Sequence, residues 1–413
     1  MTDDSGRTRR RFLTASGAIV GAGLAGCTGS TTDSPAAANG TAATGTTSAT
    51  TGDESTEGTT TDEGSADDGS YSVSMAPTGT VEFDAVPEEW VTYKTGYGDM
   101  GIALGMADGL VGLDRPEESL ALLEERFYSQ LPGFELDTDG ITSIRSDDAI
   151  DKEVFYELGA DLHLMDPNLP LVYFEWDEAD VEEVSETVAP FFGNFIRRPR
   201  DDAWGEEYAF YTLYEAFEKV SKVFRRGDRY EAFAEVHDGM HTRIADALSP
   251  ESERPSVGLL NGGSDPSKGK FYAMDPTAKG YEMKQYRDLG IRNAFEGVET
   301  GEYGLVDWET LLEVDPEILI FHWGVTYPTD EFRSQFVDPM RNDDIGQRLT
   351  AVQEGNLYPG GTAEQGPIIN LFQTEMLARQ QYPDEFGEFT GFGTPEDPLF
   401  DRKRVADIVA GDL

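Results

Sequence analysis

The sequence has one cysteine, nine lysines and four histidines in 413 residues, and each scarcity excludes something. A single thiol, Cys27, allows no intramolecular disulfide, no thiolate metal cluster and no usable cysteine nucleophile. Four histidines (His163, His237, His241 and His322) are few for a site that holds a bare transition metal through several imidazoles. The zinc-protease pattern H-E-x-x-H and the serine elbow G-x-S-x-G are both missing. The stretch Gly263–Lys270, GSDPSKGK, fails as a phosphate loop because Phe271 stands where Ser or Thr should meet magnesium. Basic residues are outnumbered 32 to 79, for a formal charge of −47. That charge argues against nucleic acid as a partner. It is spread over the chain, not gathered in a tail, which fits a hypersaline habitat. At ~1 M salt the screening length falls to roughly 3 Å.

What is present begins with an export signal over residues 1–26. Thr8-Arg9-Arg10-Arg11-Phe12-Leu13 resembles the twin-arginine motif, and a short Gly-rich apolar run follows, Ala18–Leu24. The run is too short to span a bilayer. It ends in Leu24-Ala25-Gly26-Cys27, which resembles a lipobox, so Cys27 is expected to carry lipid. From Thr28 to Ser70 there is no Val, Ile, Leu, Phe, Tyr or Trp. Residues 27–75 therefore read as a disordered Thr/Ser/Gly/Asp-rich stalk. It contains one usable N-glycosylation sequon, at Asn39. The expected location is the outer face of the cytoplasmic membrane, with the lipid as tether.

The folded part is organised around Arg229–Leu248. Tyr230, Phe233, Met240, Ile244 and Leu248 fall on one helix face, and Ser249-Pro250 ends the ladder. Similar stretches flank this rod. Asp151–Met165, DKEVFYELGADLHLM, aligns without a gap with Asp307–Phe321, DWETLLEVDPEILIF. Each reads as an Asp-capped helix, a turn and a buried strand. The fold class is accordingly α/β: an N-terminal lobe over 76–225, a single linker helix over 226–250 and a C-terminal lobe over 251–413. Further strands are expected at Trp90–Lys94, Leu110–Leu113, Leu171–Trp176, Ser256–Leu260, Lys270–Met274 and Leu357–Pro359. Thr95–Asp99 reads as a turn and Pro116–Leu131 as a helix. Helices are also expected over Glu206–Phe224, Ala278–Leu289, Gly366–Gln380 and Arg402–Ala410.

In open α/β sheets ligands bind at the carboxyl ends of strands. That rule selects Lys94, Tyr97, Arg145, Asp166 and Trp176 in the first lobe, and His322 with Trp323 in the second. Arg197, beside Arg198 and the aromatics Phe191, Phe192 and Phe195, joins them. Rings and guanidinium groups together suit a large, anionic, partly apolar ligand. For Arg197 and Arg198 the alternative is a salt bridge to local carboxylates. For His163 it is core packing, and for His237 and His241 an ordinary packed or solvated pair.

Tyr93–Leu113, YKTGYGDMGIALGMADGLVGL, resembles the opening of the helical-linker solute-binding proteins of ABC importers, and Asp307–Phe321 resembles their Leu-Leu, Asp-Pro, Glu-hydrophobic element. The chain is thus similar to a haloarchaeal lipoprotein of the TroA-like, class III type, which handles ferric siderophores, haem or cobalamin. The resemblance implies no enzyme activity, no resident cofactor and no protein-held metal, the iron entering only within the chelate. It implies delivery to a permease and ATPase pair by a monomer held through its lipid anchor. The alternatives are a zinc- or manganese-binding protein on the same architecture, a surface hydrolase and an adhesion lipoprotein.

Overall fold

The computed structural model describes residues 69–146 and 149–413. The signal, Cys27, Asn39 and most of the expected stalk lie outside those residues. The described chain opens on an antiparallel hairpin, β1 (Tyr71–Met75) and β2 (Gly79–Phe83). Val73, Met75, Val81 and Phe83 alternate toward the core, and Tyr71 stacks on Phe83 at 5.3 Å. The stalk boundary expected at residue 75 is therefore corrected: Tyr71–Met75 is a packed strand.

Lobe one holds a parallel sheet of β3 (Trp90–Val91), β4 (Leu110–Leu113), β5 (Thr142–Ser143) and β6 (Leu162–His163), ordered β5-β4-β3-β6. Lobe two contains β7 (Ser256–Asn261), a side pair of β8 (Phe271–Tyr272) with β10 (Leu305–Val306), and β9 (Arg292–Asn293), β11 (Ile318–His322) and β12 (Leu357–Pro359). Its main parallel sheet runs β12-β11-β7-β9.

The matched segments end in β6 and β11, which lie in different sheets but in the same position. Each lies beside the first strand of its sheet, on the side away from the second. Leu162 pairs with Trp90, and its counterpart Ile318 pairs with Val257. Phe191 bridges His163 in parallel, in the place that β12 takes beside β11.

Helices α1 (Thr95–Ala103), α2 (Pro116–Arg126), α3 (Glu153–Leu158), α4 (Leu169–Tyr173), α5 (Glu178–Thr187) and α6 (Leu213–Val223) belong to lobe one. The rod is α7 (Gly227–Ala247), with Ala232, Phe233, Met240 and Ile244 buried along one face. Lobe two adds α8 (Lys284–Asp288), α9 (Trp308–Val314), the short turns α10 (Thr329–Phe332), α11 (Asp338–Asn342) and α12 (Thr350–Glu354), then α13 (Pro367–Gln381), α14 (Pro383–Phe386) and α15 (Arg402–Ala410).

Several expected elements change type or length for local reasons. Leu171–Trp176 is not a strand: Pro170 starts the helical turn α4, and the chain then leaves the helix with Glu175 at φ 61°. Thr95–Asp99 is not a turn but the start of α1. Its glycines serve close packing: a Cβ on Gly96 would lie 2.7 Å from the Tyr281 hydroxyl. Asp307 caps α9 by accepting from the Thr310 amide at 2.9 Å, whereas α3 starts after Lys152 without a side-chain cap. Helix α6 starts at Leu213, later than expected, because Thr212 and Glu215 form a capping box there. The helix expected over Ala278–Leu289 narrows to a 3₁₀ turn, Tyr281–Met283, followed by α8.

The most enclosed of the described helices is α13, whose 15 residues are all buried. Its buried charges are paired internally, while the Thr374 hydroxyl and the side-chain carbonyl oxygens of Asn370, Gln380 and Gln381 have no partner. Glu375 accepts from Arg379 at 3.1 Å and from the Leu399 amide at 2.8 Å, and pairs with Arg402. Its N-terminus is closed by a residue from lobe one. Asp99 Oδ2 accepts from the amides of Gly366, Ile368 and Ile369 at 3.0, 2.9 and 3.1 Å. Tyr128 donates to Asp99 Oδ1 at 2.7 Å. One carboxylate thereby satisfies every amide this helix start leaves open, since Pro367 has none to offer. The lobes are therefore joined by α13 as well as by α7.

Candidate functional site

The carboxyl ends of the two sheets face a common seam. From lobe one, β3 delivers Tyr93 and Lys94, β4 delivers Asp114 and the loop after β5 delivers Arg145. Asp114 accepts from Lys94 Nζ at 3.1 Å and from Arg145 Nε at 2.8 Å. Burial pushes the Asp114 carboxyl upward, but the two cations outweigh it and hold the group below its ordinary value. Burial likewise lowers Lys94, and Glu364, Tyr93 and Asp114 reverse the sign, so its pKa is raised.

Glu364, from the loop after β12, reaches this group across the seam. It lies 3.9 Å from Lys94 Nζ and accepts from the Thr95 amide at 3.3 Å and from the Thr95 hydroxyl. It also acts electrostatically on Arg197.

A backbone clasp crosses the seam beside it. The amides of Tyr281 and Glu282 donate to the carbonyls of Ile196 and Arg197 at 3.0 and 3.1 Å. Gly280 allows this approach: its φ is 107°, and a Cβ there would overlap the Arg197 carbonyl. On the clasp, Arg197 Nε and Nη2 donate to Glu282 Oε2 and Oε1 at 3.1 and 3.2 Å, a two-point fork. The Trp323 ring lies 5.5 Å from the Arg197 guanidinium. Glu282 is partly desolvated, which raises its pKa, yet Arg197 and His322 overcome this and leave it well below the usual carboxylate range.

Four of the eight predicted site residues meet at this seam: Lys94, Arg145, Arg197 and Trp323. The other four point inward and are corrected here. His322 is fully buried, with Nε2 at 3.2 Å from Glu282 and Nδ1 at 2.9 Å from the Tyr286 hydroxyl, so it positions Glu282 from behind. Tyr97 turns into lobe one, where its hydroxyl bonds the Asn194 backbone at 2.8 and 2.9 Å. Asp166 is buried and accepts from the Phe195 amide at 2.7 Å and the Tyr208 hydroxyl at 2.6 Å. Trp176 packs against Phe155 and Phe174 and donates to the Ile150 carbonyl at 2.8 Å. The inward turn of Trp176 follows from α4 replacing the expected strand.

Sequence reasoning missed the carboxylates Asp114, Glu282 and Glu364 and the rings Tyr93, Tyr173 and Tyr281. Asp114 directly follows β4 and was reachable by the strand-end rule. Glu282 and Glu364 carried no signal among 79 acidic residues. Tyr93 and Tyr173 stack at 5.9 Å, and Tyr173 continues to Phe195 and Trp204, giving the seam an aromatic flank in lobe one. Arg198 is exposed and donates to the Tyr173 hydroxyl at 3.2 Å. A separate cavity of about 260 Å³ lies beside β12, between Tyr327, Phe332, Tyr358 and Phe392.

Residues 175–362 match the family described as periplasmic binding protein. Among solved structures, the chain is similar to the TroA-like periplasmic binding protein FepB from Veillonella parvula, with TM-score 0.53 and 15% identity over 82% of this chain and 95% of that one. A periplasmic solute binding protein from Mycobacterium smegmatis gives TM-score 0.52 and 19% identity over 79% and 100%. The iron uptake ABC transporter substrate-binding protein PiuA from Streptococcus pneumoniae gives TM-score 0.50 and 17% identity over 74% and 96%. At these identities the likeness shows the fold, which is the class III, TroA-like one. No curated relative matches the sequence.

Proposed function

We propose that this protein, whose residues 175–362 match the periplasmic binding protein family, captures an iron chelate for an ABC importer. The family binds solutes and does not transform them, so the seam is a receptor, not a catalytic centre. The observation carrying the reading is the meeting of Lys94, Arg145, Arg197 and Trp323 at the carboxyl ends of two facing sheets. Beside them lie the stacked rings of Tyr93 and Tyr173. A ferric siderophore offers what such a surface takes: an anionic oxygen-rich shell and flat apolar rims. Its oxygens would take over the donors that Glu282 and Glu364 now engage. A siderophore is preferred to haem or cobalamin because the cations lie in a polar seam, not in an apolar slot.

The zinc or manganese alternative finds little support, since the single histidine at the seam, His322, is buried and fully bonded. Delivery to a permease and ATPase pair completes the proposal. So does tethering through Cys27 outside the cell, with the stalk, glycosylated at Asn39, as spacer. Cys27→Ser should release the protein into the medium; retention on the membrane would remove the anchor from this reading.

The deciding experiment titrates the purified protein in molar KCl with ferric siderophores, haem and cobalamin, following tryptophan fluorescence. A ferric siderophore should quench and saturate, and Trp323→Ala and Arg197→Ala should each weaken it at least tenfold. Silence with all three ligands, or unchanged affinity in both variants, removes the seam as the site.

A further inference from the structure

Outside the seam, one face of α7 carries His237 and His241, one turn apart, with ring centroids 4.0 Å apart. Opposite them α8 contributes Asp288 and Lys284. One ligand atom each from His237, His241 and Asp288 lie within 4.8 Å of one another. Three details point to a cation. His237 Nδ1 is held by Asp238 Oδ1 at 2.9 Å, which aims Nε2 at the group, as a carboxylate behind a metal-bound imidazole does. His241 Nε2 is buried without a hydrogen-bond partner and lies 3.4 Å from Asp288 Oδ2. A buried ring nitrogen without a partner calls for a reason. Finally, a cation already occupies the space: Lys284 Nζ is 2.9 Å from His237 Nε2 and 2.5 Å from Asp288 Oδ2.

We propose that His237, His241 and Asp288 form a binding site for a borderline divalent cation of the zinc, cobalt or nickel kind, with Lys284 as its displaceable internal occupant. Two imidazoles and one carboxylate are the donor set such ions take, with a fourth position open to water. At metal–ligand distances of roughly 2.0–2.2 Å the three ligand atoms must close together, and the Lys284 ammonium must swing out toward solvent. The ion then replaces one positive charge by two against Asp288 and occupies the orphaned His241 nitrogen. The site also has a mechanical position. It fastens the linker α7 to α8, which directly follows the Tyr281–Glu282 clasp at the seam. An ion here stiffens the connection between rod and clasp.

The test titrates the purified protein with Co²⁺, reading the visible ligand-field band, and with Zn²⁺ by calorimetry, both in molar KCl. One equivalent should bind with the intense band of four-coordinate cobalt. His237→Ala, His241→Ala and Asp288→Ala should each weaken binding by ten- to a hundredfold. Lys284→Met should strengthen it at least tenfold, since no ammonium must leave. Lys284→Gln provides the same reading should the Met variant misfold. Siderophore quenching through Trp323 should persist in His241→Ala, which separates this site from the seam. The proposal is overturned if folded Lys284→Met or Lys284→Gln takes up no cobalt in the four-coordinate form. It is equally overturned if the histidine variants bind as the unaltered protein does.

Discussion

His163 shows what one residue can cost. It sits in β6 between Phe155 and Phe191, at centroid distances of 5.1 and 4.7 Å, and both ring nitrogens are buried without a partner. Burial lowers its pKa from 6.5 to about 4. Between those values the unfolded chain binds a proton that the folded one refuses, so stability is lost as pH falls from 6.5 toward 4. From pH 7 to pH 5 this amounts to roughly 2 kcal/mol. Its counterpart in the second matched segment is Leu319. His163→Leu should therefore flatten the dependence of the denaturant midpoint on pH over that range; an unchanged slope would show that His163 is not the group responsible. Glu282 behaves oppositely. Its depressed pKa contributes stability above about 4.5, the ordinary value, which is lost as pH falls. Glu282→Gln should lower stability by ~2 kcal/mol through the broken fork, and tighten an anionic chelate by releasing Arg197. Weaker chelate binding in that variant would mean that Glu282 itself holds the ligand. Residue type marked Arg197 as a site candidate, and the strand-end rule marked Trp323. It failed for Tyr97 and Asp166, because a ring or carboxylate at a strand tip reads the same whether it faces out or in. Their hydrogen bonds come from Asn194, Phe195 and Tyr208, in a segment without regular secondary structure and hence without a readable period.

Among the elements, helices with ordinary chemistry were legible and those shaped by contact were not. The rod, α13 and α15 emerged with ends within a residue or two, because proline, Asp caps and apolar spacing act locally. The first turn of α1 was hidden by Gly96 and Gly98, which locally favour a turn. Gly101 is small because the fully buried Trp90 ring lies against it, pinned by its indole N–H to the Met106 carbonyl at 3.0 Å. Gly101→Ala would gain ~1 kcal/mol in helix propensity but drive a methyl into a ring that cannot move. The expected net effect is a loss of about 1–2 kcal/mol, read from thermal or denaturant unfolding. A stabilised variant would show that Trp90 has room to shift. The burial of α13 on every side was similarly beyond the sequence: Gln373, Glu375 and Arg379 look like a solvated face until Thr362, Leu399 and Arg402 are placed around them.

At the scale of the whole molecule, the two-lobe architecture was legible because the matched segments carry the same strand-and-helix grammar, and each sheet received its copy. The charge of −47 was also legible, and it predicts a fold that depends on brine. The melting temperature should fall steadily as KCl is dialysed from molar to ~0.1 M, where the screening length grows to about 10 Å. A level melting temperature would dissociate the acidic surface from salt adaptation. The seam adds a kinetic corollary. Its cations Lys94, Arg145 and Arg197 already face Asp114, Glu282 and Glu364, so the seam's own charges offset one another. In concentrated salt no residual field would reach far in any case. If the seam is the receptor proposed above, its cargo arrives unsteered. Stopped-flow association should be indifferent to KCl across the molar range, leaving residence time as the quantity that distinguishes one guest from another.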